Sequence, residues 1–140
     1  MSSLSPQQFP DYQRGWNEVA TPTRVVRNYD DSDKVHPSHF GLPHIDFGDI
    51  PGEYHPSLGN PPEVRVPVAS LVAMQPYVHA PHVQNLSTVP GHVLDKANEP
   101  VYVDRLKDGR HAIDEGTHRS AAAIVRGDTH ITARLQGEWK

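Results

Sequence analysis

Cysteine is absent from this 140-residue chain. Disulfide staples, thiolate metal sites and cysteine nucleophiles are thereby excluded together. No apolar run approaches the length needed to cross a bilayer. The opening stretch, Met1 to Pro6, has neither a basic segment nor an apolar one, so no secretory signal is expected and a cytoplasmic location follows. An excess of basic residues is also lacking: the formal net charge is -4 with histidines neutral, and the pI is ≈ 6.2. Non-specific nucleic-acid binders draw affinity from counterions released off phosphates, so this balance disfavours DNA as the main partner without excluding a local basic groove.

What is present falls into two unlike halves. Residues 1–62 hold nine of the fourteen prolines, with His36-Pro37, Leu42-Pro43, His55-Pro56 and Pro61-Pro62 among the breaks. Each pre-proline residue is pushed toward extended backbone, so long helices are not expected there. Only Gln8 to Ala20 reads as a short helix. Phe9, Tyr12, Trp16, Tyr29, Phe40, Phe47 and Tyr54 also lie in this half. Disordered tails are poor in rings, because buried aromatics offset the entropy of ordering. The half therefore reads as an extended, aromatic-rich arm laid on its own core, a second subunit or a partner.

Residues 63–140 read as one small α+β domain. Val64 to Val68 predicts a short edge strand, since Pro67 cannot donate in a central one. Ser70 to Gln75 predicts a helical turn before Pro76, and His79 to Ser87 a short helix starting near Pro81. Pro100 to Leu106, the turn Lys107-Asp108-Gly109, and Arg110 to Asp114 predict a β-hairpin. A helix follows through Ser120 to Arg126, with Gly127 as its stop, and His130 to Leu135 predicts the closing strand.

The junction between hairpin and helix carries the chemistry. A glycine turn feeding a helix N-terminus is an anion site, because free N–H groups and the macrodipole converge there. Gly116 allows close backbone approach, Thr117 offers a hydroxyl, and Arg119 can fork two donors onto phosphate oxygens. His118 suits phosphate donation or general acid–base work, and Glu115 suits water positioning, proton acceptance or a metal ion. Gln75, His79 and His82 are auxiliary candidates, the two histidines sharing a helix face three residues apart. Arg105, Lys107 and Arg110 form a basic hairpin tip that could meet a phosphate backbone.

From Leu106 to Leu135 the order hairpin, acidic residue, Gly-x-His-Arg, alanine-rich helix, glycine, strand resembles the signature of the ParB/sulfiredoxin superfamily. Glu115, Gly116, His118 and Arg119 occupy its motif positions, Ala121 to Ala123 the small helix face, and Gly127 the stop. Val66 to Leu71 and Gln75 are similar to the strand–turn–Gln segment of small ParB-like nuclease members, so the resemblance spans residues 64–135. It implies a mixed sheet and a nucleotide or phosphoester ligand. It also implies NTPase or nuclease chemistry, and stand-alone relatives often encoded by phages or plasmids. The sulfiredoxin reaction is excluded by the missing cysteine. The resemblance does not extend to the DNA-clamp members, because no arginine follows Gln84-Asn85 at the family spacing.

Three readings stand. The first is a nucleotide- or phosphoester-binding domain with Glu115 and His118 as catalytic groups and magnesium, held by Glu115, neutralising charge. The second is a non-catalytic interaction module whose arm grips a protein, such as a host factor. On that reading, deleting residues 1–60 should abolish capture and leave a folded core. The third is a DNA-binding accessory protein. Homo-oligomers fit any of them, and membranes fit none. His36, His39, His44 and His55 match no metal-site spacing and read as surface or cap histidines. Asp30, Asp31 and Asp33 lack the glycine and terminal glutamate of a calcium loop and read as a solvated turn.

Overall fold

The computed structural model describes residues 31–96 and 100–140. The expected helix over Gln8 to Ala20 and the first four aromatics lie outside the described residues. In chain order the strands are β1 (Lys34–Val35), β2 (Tyr54–Pro56), β3 (Glu63–Pro67), β4 (Leu71–Ala73), β5 (Val78–His79), β6 (Tyr102–Arg105), β7 (His111–Glu115) and β8 (His130–Trp139). The helices are α1 (Ala80–Ser87), α2 (Gly91–Lys96) and α3 (Thr117–Arg126). The fold is α+β with a mixed sheet in the order β2-β8-β6-β7-β4, while β3 also pairs with β8.

Local chemistry explains several elements directly. Lys107 to Gly109 turns the hairpin, with Leu106 N–H donating to Arg110 O at 2.8 Å. Pro81 sits in the first turn of α1, where its missing N–H costs nothing, and Val83 and Leu86 bury one face three residues apart. Gly127 ends α3 at φ 80°, a left-handed conformation in which its N–H can reach back to the last carbonyls. Ala121, Ala122 and Ala123 are fully buried, and their small side chains let α3 lie close to its neighbours. Arg126 then ties α3 to α1, its Nη1 donating to Leu86 O at 2.9 Å and Val89 O at 2.8 Å.

The closing strand runs four residues past the expected end, because β8 is shared by three partners. β3 pairs with His130–Arg134, β2 with Gly137–Trp139, both antiparallel, and β6 lies parallel along Arg134–Glu138. β3 is an edge strand, as Pro67 requires. The turn expected over Ser70 to Gln75 is corrected: only Val68–Ser70 forms a short 3-10 turn, and Leu71–Ala73 is a strand. Those three residues are buried and pair in parallel with His111–Ile113, a long-range contact that overrides local turn preference.

The helices cover one face of the sheet over a core that includes Leu71, Val103, Ile113 and Leu135. A smaller cluster on Ile50, Leu106 and Ala112, backed by Ile45, Met74 and Trp139, forms a second apolar layer. Residues 34–56 are built into both clusters. Leu42 is 0% exposed in the main core, and Ile50 belongs to the second. Pro43 O accepts from Ala73 N–H at 2.7 Å and Ile45 N–H donates to Ala73 O at 2.9 Å, which covers the edge of β4. The division placed at residue 62 thus falls between two strands that both pair with β8.

The expectation that a chain lacking residues 1–60 keeps a folded core is accordingly corrected, since the deletion removes Leu42, Ile50 and β2. Leu42→Ala alone should cost about 2–4 kcal/mol by leaving a cavity in a site that cannot fully collapse. A urea midpoint unchanged in that variant would contradict this packing.

Candidate functional site

The hairpin delivers β7 to the site with an irregularity. Tyr102 pairs with Glu115 but Val103 pairs with Ile113, so Asp114 is an extra residue in β7. Such a bulge bends the strand and re-aims the side chains beyond it. Gly116 then adopts φ 97° and opens α3. A Cβ here would lie 2.8 Å from Val101 Cγ2 and 2.9 Å from Pro100 O, so the backbone of the turn approaches β6 as only glycine permits. Gly116 O accepts from Ser120 N–H at 2.9 Å and Ser120 Oγ at 2.8 Å, fixing the first turn.

Thr117 and Arg119 are buried in that turn, at 4% exposure each, and His118 is partly buried. His118 Nε2 accepts the backbone N–H of His79 at 3.0 Å, so the lone pair on Nε2 is committed and the ring proton belongs on Nδ1. The His79 ring stacks on His118 at 5.8 Å between centroids, and His82 lies at 4.8 Å from it. Burial, with neighbouring imidazoles adding to it, pushes His118 down to about 3 and His82 down to about 4. Both rings are neutral at pH 7. In this geometry His118 joins the start of α1 to the start of α3 and presents a neutral donor, not an imidazolium.

A cleft of ≈ 380 Å³ is bordered by Gln75, His82, Glu115, Gly116 and His118, with Asp114 and Arg119 also on its wall. Gln75 is held by a bond from Nε2 to Tyr77 O at 2.7 Å. The structure therefore brings Gln75, His79 and His82 to the motif. It does not bring Arg105 and Arg110, which sit toward the hairpin tip, about 13 and 16 Å from Glu115 along β7 at ~3.3 Å per residue. Arg110 is engaged there with Asp108 through Nε at 2.8 Å.

Arg119 departs most from simple expectation. Its Nη2 pairs with Asp95 Oδ1 of α2 and donates to Gly91 O at 3.3 Å. Arg119 also borders two further clefts, of ≈ 150 and ≈ 460 Å³, which both include Asp95. Asp95 and Asp114 were not singled out in the sequence. Asp95 lies on a six-residue helix whose only local signal was Pro90 just ahead of it, and Asp114 gained its place from the bulge. His36 acts as a cap, its Nδ1 accepting Ser38 N–H at 3.1 Å, and Asp31 pairs with Lys34 at 3.0 Å. Among the described residues no group of three or more His, Asp or Glu side chains converges as a metal cage.

The buried imidazoles predict a pH dependence. His118 and His82 have folded pKa values below the unfolded value of 6.5, so their contribution to stability is full above pH 6.5. As pH falls from 6.5 toward 4 the unfolded chain takes protons that the folded chain refuses. Stability should drop by about 1.4 kcal/mol per pH unit for each ring. Burial lowers His111 as well, so urea unfolding at pH 7, 6 and 5 should show a summed slope, from which His118→Gln removes one ring's share. An identical slope in the variant would mean that His118 is not the group responsible.

No family model, no curated protein and no solved structure matches the chain. Among the described residues no helix is long and apolar enough to cross a membrane.

Proposed function

We propose that this chain is a nucleotide- or phosphoester-binding domain of the ParB-like kind, which takes its ligand at the Glu115-Gly116-Thr117-His118-Arg119 turn. The observation that supports it most is the meeting of three features at one cleft: a left-handed glycine opening a ten-residue helix, an arginine in its first turn, and the neutral donors of His82, His118 and Gln75. Helix N–H groups and the macrodipole favour an oxyanion there, and a guanidinium adds charge-assisted bonds.

Magnesium is compatible with the donors. Asp114 and Glu115 both border the cleft, and this ion is commonly held by one or two carboxylates plus the ligand's own phosphate oxygens. Those two residues would hold it, and it would supply charge neutralisation in phosphoryl transfer. For NTPase or nuclease chemistry, Glu115 is the exposed carboxylate able to orient a water, whereas His118 is better suited to hold the turn and donate through Nδ1.

One observation favours the interaction-module reading. Phe47, 66% exposed, and Tyr54 both pack against Trp139, at 5.6 and 5.3 Å between centroids, forming a ring cluster that reaches solvent. Calorimetric titration with ATP, CTP, GTP and a short DNA, with and without magnesium, separates the readings. Saturable nucleotide binding supports the phosphoester site, and silence from every nucleotide would discard it.

A further inference from the structure

We infer that Asp95 is a built-in competitor for the anion at Arg119, so that a phosphate group enters by displacing the Asp95 carboxylate from the guanidinium. The inference concerns regulation of the site just proposed and rests on that reading. Arg119 is 4% exposed and lies in the first turn of α3, with its guanidinium held inward. Its Nη2 is already bonded to Asp95 and to Gly91 O. An anion that takes the Nη2 edge of the fork must therefore replace an existing partner.

The two partners are unequally held. Val93 and Leu94 are fully buried and seat α2 on the core, while the Asp95 side chain is 35% exposed. The carboxylate can rehydrate when displaced, but the guanidinium has no comparable exposure to water. Arg134 borders the ≈ 150 Å³ cleft that also includes Asp95, and its own partner, Glu63, is loosely held at 3.9 Å. A displaced carboxylate thus has water and a cation close by. A single carboxylate offers the fork one charge, whereas a phosphate of higher charge offers several oxygens and also meets the α3 amides. Exchange favours polyphosphates over weak monoanions and sets a low resting affinity for the latter.

Pyrophosphate titrated into the full chain tests this. Asp95→Asn should bind it at least about tenfold tighter than the unchanged protein, the size of one charge-assisted interaction removed from the competing state. Arg119→Ala should bind in neither background. In the unchanged protein, saturating pyrophosphate should speed amide hydrogen exchange over residues 92–95, a readout that decides the matter even if Asp95→Asn does not fold. Equal affinities for the unchanged protein and Asp95→Asn, with binding still lost in Arg119→Ala, would overturn the competitor and spare the phosphate site. Unchanged or slower exchange over residues 92–95 on binding would also overturn it. No binding to any variant would overturn both.

Discussion

Replacing Gly116 with alanine should destabilise the fold by about 3 kcal/mol, with a fall in Tm of roughly 10 °C. Two separate costs combine. The residue holds φ 97°, a region that costs an L-residue about 1–2 kcal/mol. The added methyl would also press on Pro100 O and on Val101 Cα, at 2.9 and 3.0 Å. These are backbone atoms of the segment entering β6, so relief requires moving that segment, not turning a side chain. The cost should appear as a shifted urea midpoint with an unchanged m-value. Gly109 is a suitable control, since it also has positive φ but nothing lies within 4 Å of its would-be Cβ. Equal losses from both alanine substitutions would show that φ alone matters and that the close approach to β6 does not.

Arg119→Ala should have the largest functional effect: at least about a hundredfold loss of affinity for any phosphoester the site binds, equivalent to ~2.7 kcal/mol. It should also cost about 2 kcal/mol of stability, because a buried ion pair is broken while Asp95 is partly able to rehydrate. Binding must be measured where both proteins are folded, so that the two losses are not confused. Arg119→Lys retains the charge but not the planar fork and should fall between. If nucleotide affinity is the same in Arg119→Ala, the guanidinium is only a structural partner of Asp95 and the proposed site is wrong.

The elements legible in the sequence share a physical cause. Lys107-Asp108-Gly109, Pro81, Pro67 and Gly127 act through backbone restrictions that operate within a few residues. The hairpin, the start of α1, the edge position of β3 and the end of α3 all followed from them. Leu71-Val72-Ala73 was misread for the opposite reason. Three apolar residues fit a turn or a strand equally well, and the parallel partner that decides lies forty residues further on. Residues 34–56 looked like an arm because prolines forbid long helices there. Prolines do not prevent a chain from covering a strand edge with Pro43 and Ile45 or burying Leu42.

The same division runs through the site. The sequence by itself determined that a glycine turn at Glu115-Gly116 leads into a helix over Ser120 to Arg126, since turns and helix ends are local demands; the structure begins that helix at Thr117, so that it also carries Thr117, His118 and Arg119. Only the tertiary structure decided what those side chains touch. It closed His79 and His82 around His118, committed the Nε2 lone pair to a backbone amide, set Asp95 against Arg119 and left Arg105 and Arg110 at the far end of the hairpin. Charge and hydrogen-bond partners depend on distances between segments brought together by burial, and spacing along the chain does not encode them.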